Sequence, residues 1–220
     1  MSNYAELRGI ITKQPSRDIT KGIERLRFMY EVDSYLNIPE SFKPKGARST
    51  AIVPVTAYDR LAIELEGAAE LGMYVHELKG YFQTYQNKRW WFVVNSYDLT
   101  DSDKEMPEYE PLNKVKAGGV VKFQRELDKT DMVGGPRKMF LLSAFRGKEW
   151  DYNKMGENSM IPVTAWGEAA LKAEELCSVK KQPIILWMEG KVDTWSFGGK
   201  NKWSVIADTL YGKGDKKSGD

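Results

Sequence analysis

The chain has 220 residues, with 33 Lys and Arg against 31 Asp and Glu for a formal net charge of +2. No overall excess announces a polyanionic partner, and a basic surface would have to come from segregation of charges. A single cysteine, Cys177, excludes an internal disulfide, and with His76 as the one histidine it excludes a Cys/His zinc cage. The sequence has neither a signal-peptide pattern nor an apolar run long enough to cross a bilayer, so a cytoplasmic protein is expected.

Residues 4–30 supply two strands. The polar stretch from Thr12 to Leu26 between them reads as a turn-rich connection on Pro15, Asp18 and Gly22. Arg8, Lys13, Arg17, Lys21, Arg25 and Arg27 in or beside it form either a solvated face or one that tracks phosphates. The segment from Tyr35 to Thr50 is too rich in Pro and Gly for regular structure and carries Tyr35, Phe42, Lys43, Lys45 and Arg48. Aromatic faces beside cations suit a single-stranded nucleic acid, because bases stack on rings while ammonium and guanidinium groups meet phosphates.

Ile52, Val53, Val55 and Thr56 then read as a strand ending in Tyr58. A short helix follows through Leu61, Ala62, Leu65, Ala68, Ala69 and Leu71, with Gly72 as its stop. The next hairpin concentrates Tyr81, Phe82, Tyr85, Lys88, Arg89, Trp90, Trp91 and Phe92; strand alternation turns one of Trp90 and Trp91 to the core and the other outward, without saying which. Asp101 to Asn113 is acidic and contains prolines, and reads as an exposed linker.

Beyond the linker the chain repeats itself. IVPVTAYDRLA, from Ile52 to Ala62, recurs as MIPVTAWGEAA, from Met160 to Ala170, so Pro54, Val55, Thr56, Ala57 and Ala62 return as Pro162, Val163, Thr164, Ala165 and Ala170. The second strand ends in Trp166, and a helix follows through Ala169, Ala170, Leu171, Ala173 and Leu176. Gly80, Thr84 and Tyr85 fall against Gly190, Thr194 and Trp195, Trp91 falls against Trp203, and Gly9 falls against Gly119. The loop before the repeated strand again mixes cations with rings, in Arg146, Lys148, Trp150, Tyr152 and Lys154. The last hairpin reads as a longer tip at Phe197, Gly198 and Gly199, carrying Lys200 and Lys202. The expected organisation is one domain over 1–100, a linker over 101–114, a second domain over 115–212 and a disordered tail over 213–220.

A glycine-led first strand, a V-x-A-aromatic strand end, a short helix, a strand closing on glycine and an aromatic hairpin come in the same order twice. This order resembles the OB fold of bacterial single-stranded-DNA-binding proteins over roughly residues 4–99 and 115–212. Gly9, Val55, Ala57, Tyr58, Asp59, Leu61, Ala62 and Gly80 carry it in the first copy; Gly119, Val163, Ala165, Trp166, Gly167, Ala170 and Gly190 carry it in the second.

The resemblance implies an all-β chain with one short helix per domain, arranged as two tandem OB-fold barrels. Its function would be to coat and protect single-stranded DNA in replication, recombination or repair, in a bacterial or phage-infected cell. Bases would stack on Tyr58, Tyr85, Trp166 and Trp195, joined by Trp90, Trp150 and Tyr35. Phosphates would meet Lys13, Arg27, Lys43, Lys45, Arg48, Arg89, Arg146, Lys148, Lys200 and Lys202. The bland alternative for Tyr58 and Trp166 is that they brace the helix against the barrel. A homodimer would bring together four OB folds. The tail departs from the family pattern: it is mixed in charge and lacks the acidic run and apolar tip that dock partners.

The sequence holds no phosphate-cradling G-x-x-x-x-G-K-[ST], no HExxH, no nucleophile elbow and no carboxylate cluster suited to two metals. No enzymatic activity, cofactor or metal is therefore expected. The rival reading is an OB module that binds RNA or docks a protein, since the fold alone does not fix the ligand.

Overall fold

The computed structural model describes residues 3–33, 50–85, 89–98, 112–129, 135–144, 159–178, 183–198 and 200–212. Two compact units divide the chain, with the change-over between Lys114 and Val115. In the first, β1 (Asn3–Thr20), β2 (Ile23–Asp33), β3 (Thr50–Tyr58), β4 (Tyr74–Tyr85) and β5 (Arg89–Asp98) surround one core, with α1 (Asp59–Glu66) between β3 and β4. β1 pairs with β2, β2 with β3, β3 in parallel with β5, β5 with β4, and β4 back with β1. The ring of strands is closed.

The second unit has the same connectivity, built from β6 (Asn113–Gln124), β7 (Arg137–Ala144), β8 (Ser159–Trp166), α2 (Gly167–Cys177), β9 (Ile185–Phe197) and β10 (Lys200–Gly212). β6 pairs with β7, β7 with β8, β8 in parallel with β10, β10 with β9, and β9 with β6. A five-stranded barrel with the helix after its third strand is the OB architecture. Each unit is one such barrel.

Strand alternation fills each core. In the first barrel Leu26, Phe28, Tyr30, Val53, Val55, Ala57, Phe82 and Phe92 are buried, the rings of Phe82 and Phe92 meet at 5.5 Å, and the Tyr30 hydroxyl donates to the Val75 carbonyl. Phe140, Leu142, Ile161, Val163, Ala165, Val192 and Val205 do the same in the second. The four glycines matched in sequence mark places where strands cross too closely for a side chain. A Cβ on Gly9 or Gly80 would lie 1.9 Å from the carbonyl oxygen of Glu31 or Val93, and on Gly119 or Gly190 2.1 or 2.0 Å from that of Ser143 or Ile206.

Three expectations change. Thr12 to Leu26 is no turn-rich connection: β1 and β2 continue through it as a hairpin whose turn is Lys21-Gly22, both at positive φ. Pro15 sits where the register shifts between Lys13 and Ser16, the position in a strand that tolerates a residue without an N–H. Asp18 is a paired strand residue opposite Arg25. The first helix ends at Glu66, not near Gly72, because Ile11 on β1 exchanges backbone hydrogen bonds with the Gly72–Met73 segment and draws the chain off the helical path. Gly72 still takes φ +84°, but in a turn. The second hairpin tip is short: β9 runs to Phe197 and β10 restarts at Lys200, with Gly198 at φ +58°.

Candidate nucleic-acid interface

The outward-pointing alternate positions of each barrel form a face that runs from β2 and β3 onto the β4–β5 hairpin, or onto its counterpart in the second unit. In the second barrel the Thr164 and Ser204 hydroxyls, both buried, meet at 2.9 Å on this side of the sheet. Alternation from them places Trp166, Lys202 and Lys200 on the same side, and cross-strand pairing adds Trp195 opposite Lys202 and Arg137 opposite Trp166. In the first barrel the same rule, started from Thr56 paired with Val93, collects Tyr58, Trp91, Arg89, Tyr85, Arg25 and Arg27.

The two hairpins agree residue by residue. Tyr85 lies opposite Arg89 and Trp195 lies opposite Lys202. Tyr85 is 57% exposed and Trp195 is 42% exposed, and both cations are exposed. A large ring left open beside a cation is what a nucleotide needs, one group for the base and one for the phosphate.

At the ends of β3 and β8, Tyr58 and Trp166 are half-buried, in extended conformation. The next residue in each case, Asp59 at φ +49° or Gly167 at φ +55°, turns left-handed and starts the helix. Each ring has an arginine directly across the sheet: Arg25 for Tyr58 and Arg137 for Trp166. The Arg137 guanidinium carbon lies 5.4 Å from the Trp166 ring centroid, within cation–π range. Both arginines are bound to an aspartate. Arg25 donates through Nε to Asp18 at 2.8 Å, and Arg137 donates to Asp128 at 2.9 Å. Asp18 also pairs with Arg27 at 3.2 Å, and the hydrogen bond from Arg25 is the main reason its carboxyl titrates below the ordinary carboxylate range.

Register settles the two adjacent tryptophans. Trp90 shares the inward parity of Phe92 and packs on the buried Phe82 ring at 6.1 Å, whereas Trp91 lies on the outer face. Val55 pairs with Phe92 and Val163 with Val205, so Trp203 corresponds to Trp90 and not, as matched from sequence, to Trp91. Lys13 and Arg27 are exposed on β1 and β2. Their counterparts in the second barrel are Phe123 and Met139, so cation is replaced by apolar group there.

Tyr35, Lys43, Lys45, Arg48, Arg146, Lys148 and Trp150 lie outside the described residues, as do Lys88, most of the linker and the tail. Sequence reading missed Arg137, Asp128 and the 60% exposed Phe123. The signal for Arg137 was present as R-x-x-F, in Arg25 to Phe28 and again in Arg137 to Phe140. Among the described residues no group of three His, Cys, Asp or Glu is placed to hold a metal ion, and no helix is long and apolar enough to cross a membrane.

No protein-family model and no curated protein matches the sequence. Among solved structures, the chain is similar to the wild-type single-stranded DNA binding protein from Thermus aquaticus, with a TM-score of 0.69 and 17% identity over 99% of this chain and 96% of that one. A deletion mutant of the Thermus aquaticus protein gives a TM-score of 0.70 at 17% identity, over 96% of this chain and 93% of that one. At this identity the likeness establishes the tandem two-barrel fold.

Proposed function

We propose that this protein binds single-stranded DNA without strong sequence preference and keeps it unpaired and shielded, as a non-catalytic factor in replication, recombination or repair. One observation carries the reading: two barrels with different side chains place an open aromatic ring opposite a cation at the same point of the same hairpin.

Tyr85, Trp195, Tyr58 and Trp166 take bases, with Trp91 in the role first given to Trp90. Arg89, Lys200, Lys202, Lys13 and Arg27 take phosphates. Base stacking is worth about 1–3 kcal/mol per ring and is indifferent to base identity, which suits a coating protein. Tyr35, Trp150, Lys43, Lys45, Arg48, Arg146 and Lys148 would extend both sets. The same reading includes domains at 1–100 and 115–212 joined by a cleavable 101–114 linker, and a homodimer holding four barrels. Limited proteolysis and the mass in light scattering check these two points.

The test of the function is protection. At saturating protein, a single-stranded oligonucleotide should resist a single-strand-specific nuclease, and excess duplex should not compete the protection away. Competition by RNA as effective as by DNA would keep the interface and change the ligand. Absence of protection at any protein concentration would remove the proposal.

A further inference from the structure

In each barrel the strand-end ring belongs to a three-residue chain: Asp18, Arg25 and Tyr58 in the first, Asp128, Arg137 and Trp166 in the second. The strand pairings are the same, and in the second barrel the guanidinium also lies over the ring, at 5.4 Å from its centroid. Asp18 is the cross-strand partner of Arg25, and Arg25 is that of Tyr58. Asp128 bridges to Arg137, with backbone hydrogen bonds in both directions, and Arg137 is the partner of Trp166. Other neighbours differ: Leu26 beside Arg25 becomes Lys138 beside Arg137, and the Lys138 ammonium is buried against Glu174.

Resting on the function proposed above, we infer that Arg25 and Arg137 are positioning residues and not phosphate contacts. Each is anchored by its aspartate. Arg137, whose guanidinium lies over Trp166, fixes that ring, which takes a base on the face turned away from the guanidinium, and Arg25 stands at the same place beside Tyr58. A planar guanidinium can hold a carboxylate with its N–H edge while lying against a π face, which an ammonium cannot do. The left-handed residue after each ring starts the helix at once, and in the second barrel the Gly167 N–H donates to the Pro136 carbonyl at 2.8 Å, tying that turn to the strand of Arg137. Ring, arginine and helix start are therefore set by one piece of sheet.

The aspartate separates this role from the obvious alternative. If Arg137 contacted phosphate, Asp128 would compete with DNA for it, and removing the carboxylate would strengthen binding. If Arg137 positions the ring, removing the carboxylate weakens binding. The experiment uses the full chain with oligo-dT and compares wild type, Asp128→Asn, Arg137→Gln and Arg137→Lys across a salt series. The expected result is a loss of about 2- to 30-fold in affinity for all three, from the loss of one cation–π contact, with the salt slope unchanged. Tighter binding by Asp128→Asn, a slope flattened by about 0.7 in Arg137→Gln, or full rescue by Arg137→Lys would each overturn the inference.

A second readout needs no DNA. With 5-fluorotryptophan incorporated, the Trp166 resonance, assigned through Trp166→Phe, should shift in free Asp128→Asn and Arg137→Lys while the other resonances hold. An unmoved Trp166 line overturns the positioning role even if oligo-dT binds well. A wild-type protein that ignores oligo-dT removes the proposed function but leaves the ring result to be read on its own.

Discussion

Replacing Trp195 with leucine separates stacking from packing. Trp195 is 42% exposed and Tyr85, its counterpart, 57%, so each side chain offers a large open area while the remainder is covered. Leucine keeps an apolar group in that covered part and removes the flat face. The folding cost should stay near 1 kcal/mol, or about 4–8 °C in Tm for a barrel of about 100 residues. Loss of one stacked base should cost about 1–3 kcal/mol in binding, an increase of roughly 5- to 150-fold in Kd. The assay is fluorescence anisotropy of a labelled oligo-dT at several salt concentrations, with thermal unfolding measured on the same preparations. The salt slope should not change, because Lys202 across the strand keeps its charge. Tyr85→Leu should behave alike in the first barrel. Wild-type affinity in both variants, or a drop in Tm large enough to account for the lost binding, would refute the assignment of these rings to bases.

Lys202→Ala should flatten the dependence of log K on log salt by about 0.7, the value for one phosphate contact on a single strand, with the Tm unchanged. Gly190→Ala pushes a methyl to 2.0 Å from the Ile206 carbonyl oxygen, so urea unfolding should show a loss toward the upper end of about 1–3 kcal/mol; an unaltered midpoint would mean that the two strands separate freely. Asp59→Gly removes the cost of a left-handed residue and should raise stability by about 1 kcal/mol, whereas Gly167→Ala introduces that cost and should lower it by about 1–2 kcal/mol. The depressed carboxyl of Asp18 stabilises the fold above the unfolded value near 3.9, and this contribution is lost as pH falls through the lower folded value. The stability gap between wild type and Asp18→Asn should accordingly be widest above pH about 4 and narrow toward pH 2.

What could be read before folding was whatever depends on apolar periodicity and on repetition. The strand ending at Tyr58, the strand ending at Trp166 and the starts of the helices after them stand where the pattern put them, and the matched glycines prove to be close strand crossings. The β1–β2 hairpin was illegible because cross-strand pairing holds it: Asp18 with Arg25 and Ser16 with Arg27 look like loop residues until the register brings them together. The end of α1 was misread for a similar reason, since the hydrogen bonds that end it come from Ile11, far away in sequence. Trp90 and Trp91 could not be told apart by alternation alone, because only the pairing of Val55 with Phe92 fixes which parity faces the core. Arg137 escaped notice because its meaning lies in what it touches, Asp128 on one side and the Trp166 ring on the other.

The central claim is that the outer faces of both barrels hold single-stranded DNA by stacking and charge together. Intrinsic tryptophan fluorescence during titration with oligo-dT, repeated at fourfold higher salt, measures both terms in one cuvette. Trp166 and Trp195 should be strongly quenched, and engagement of about five phosphates should weaken binding roughly a hundredfold at the higher salt. Fluorescence that does not respond to oligo-dT at either salt concentration would contradict the account and leave two OB barrels whose ligand is something other than a single strand.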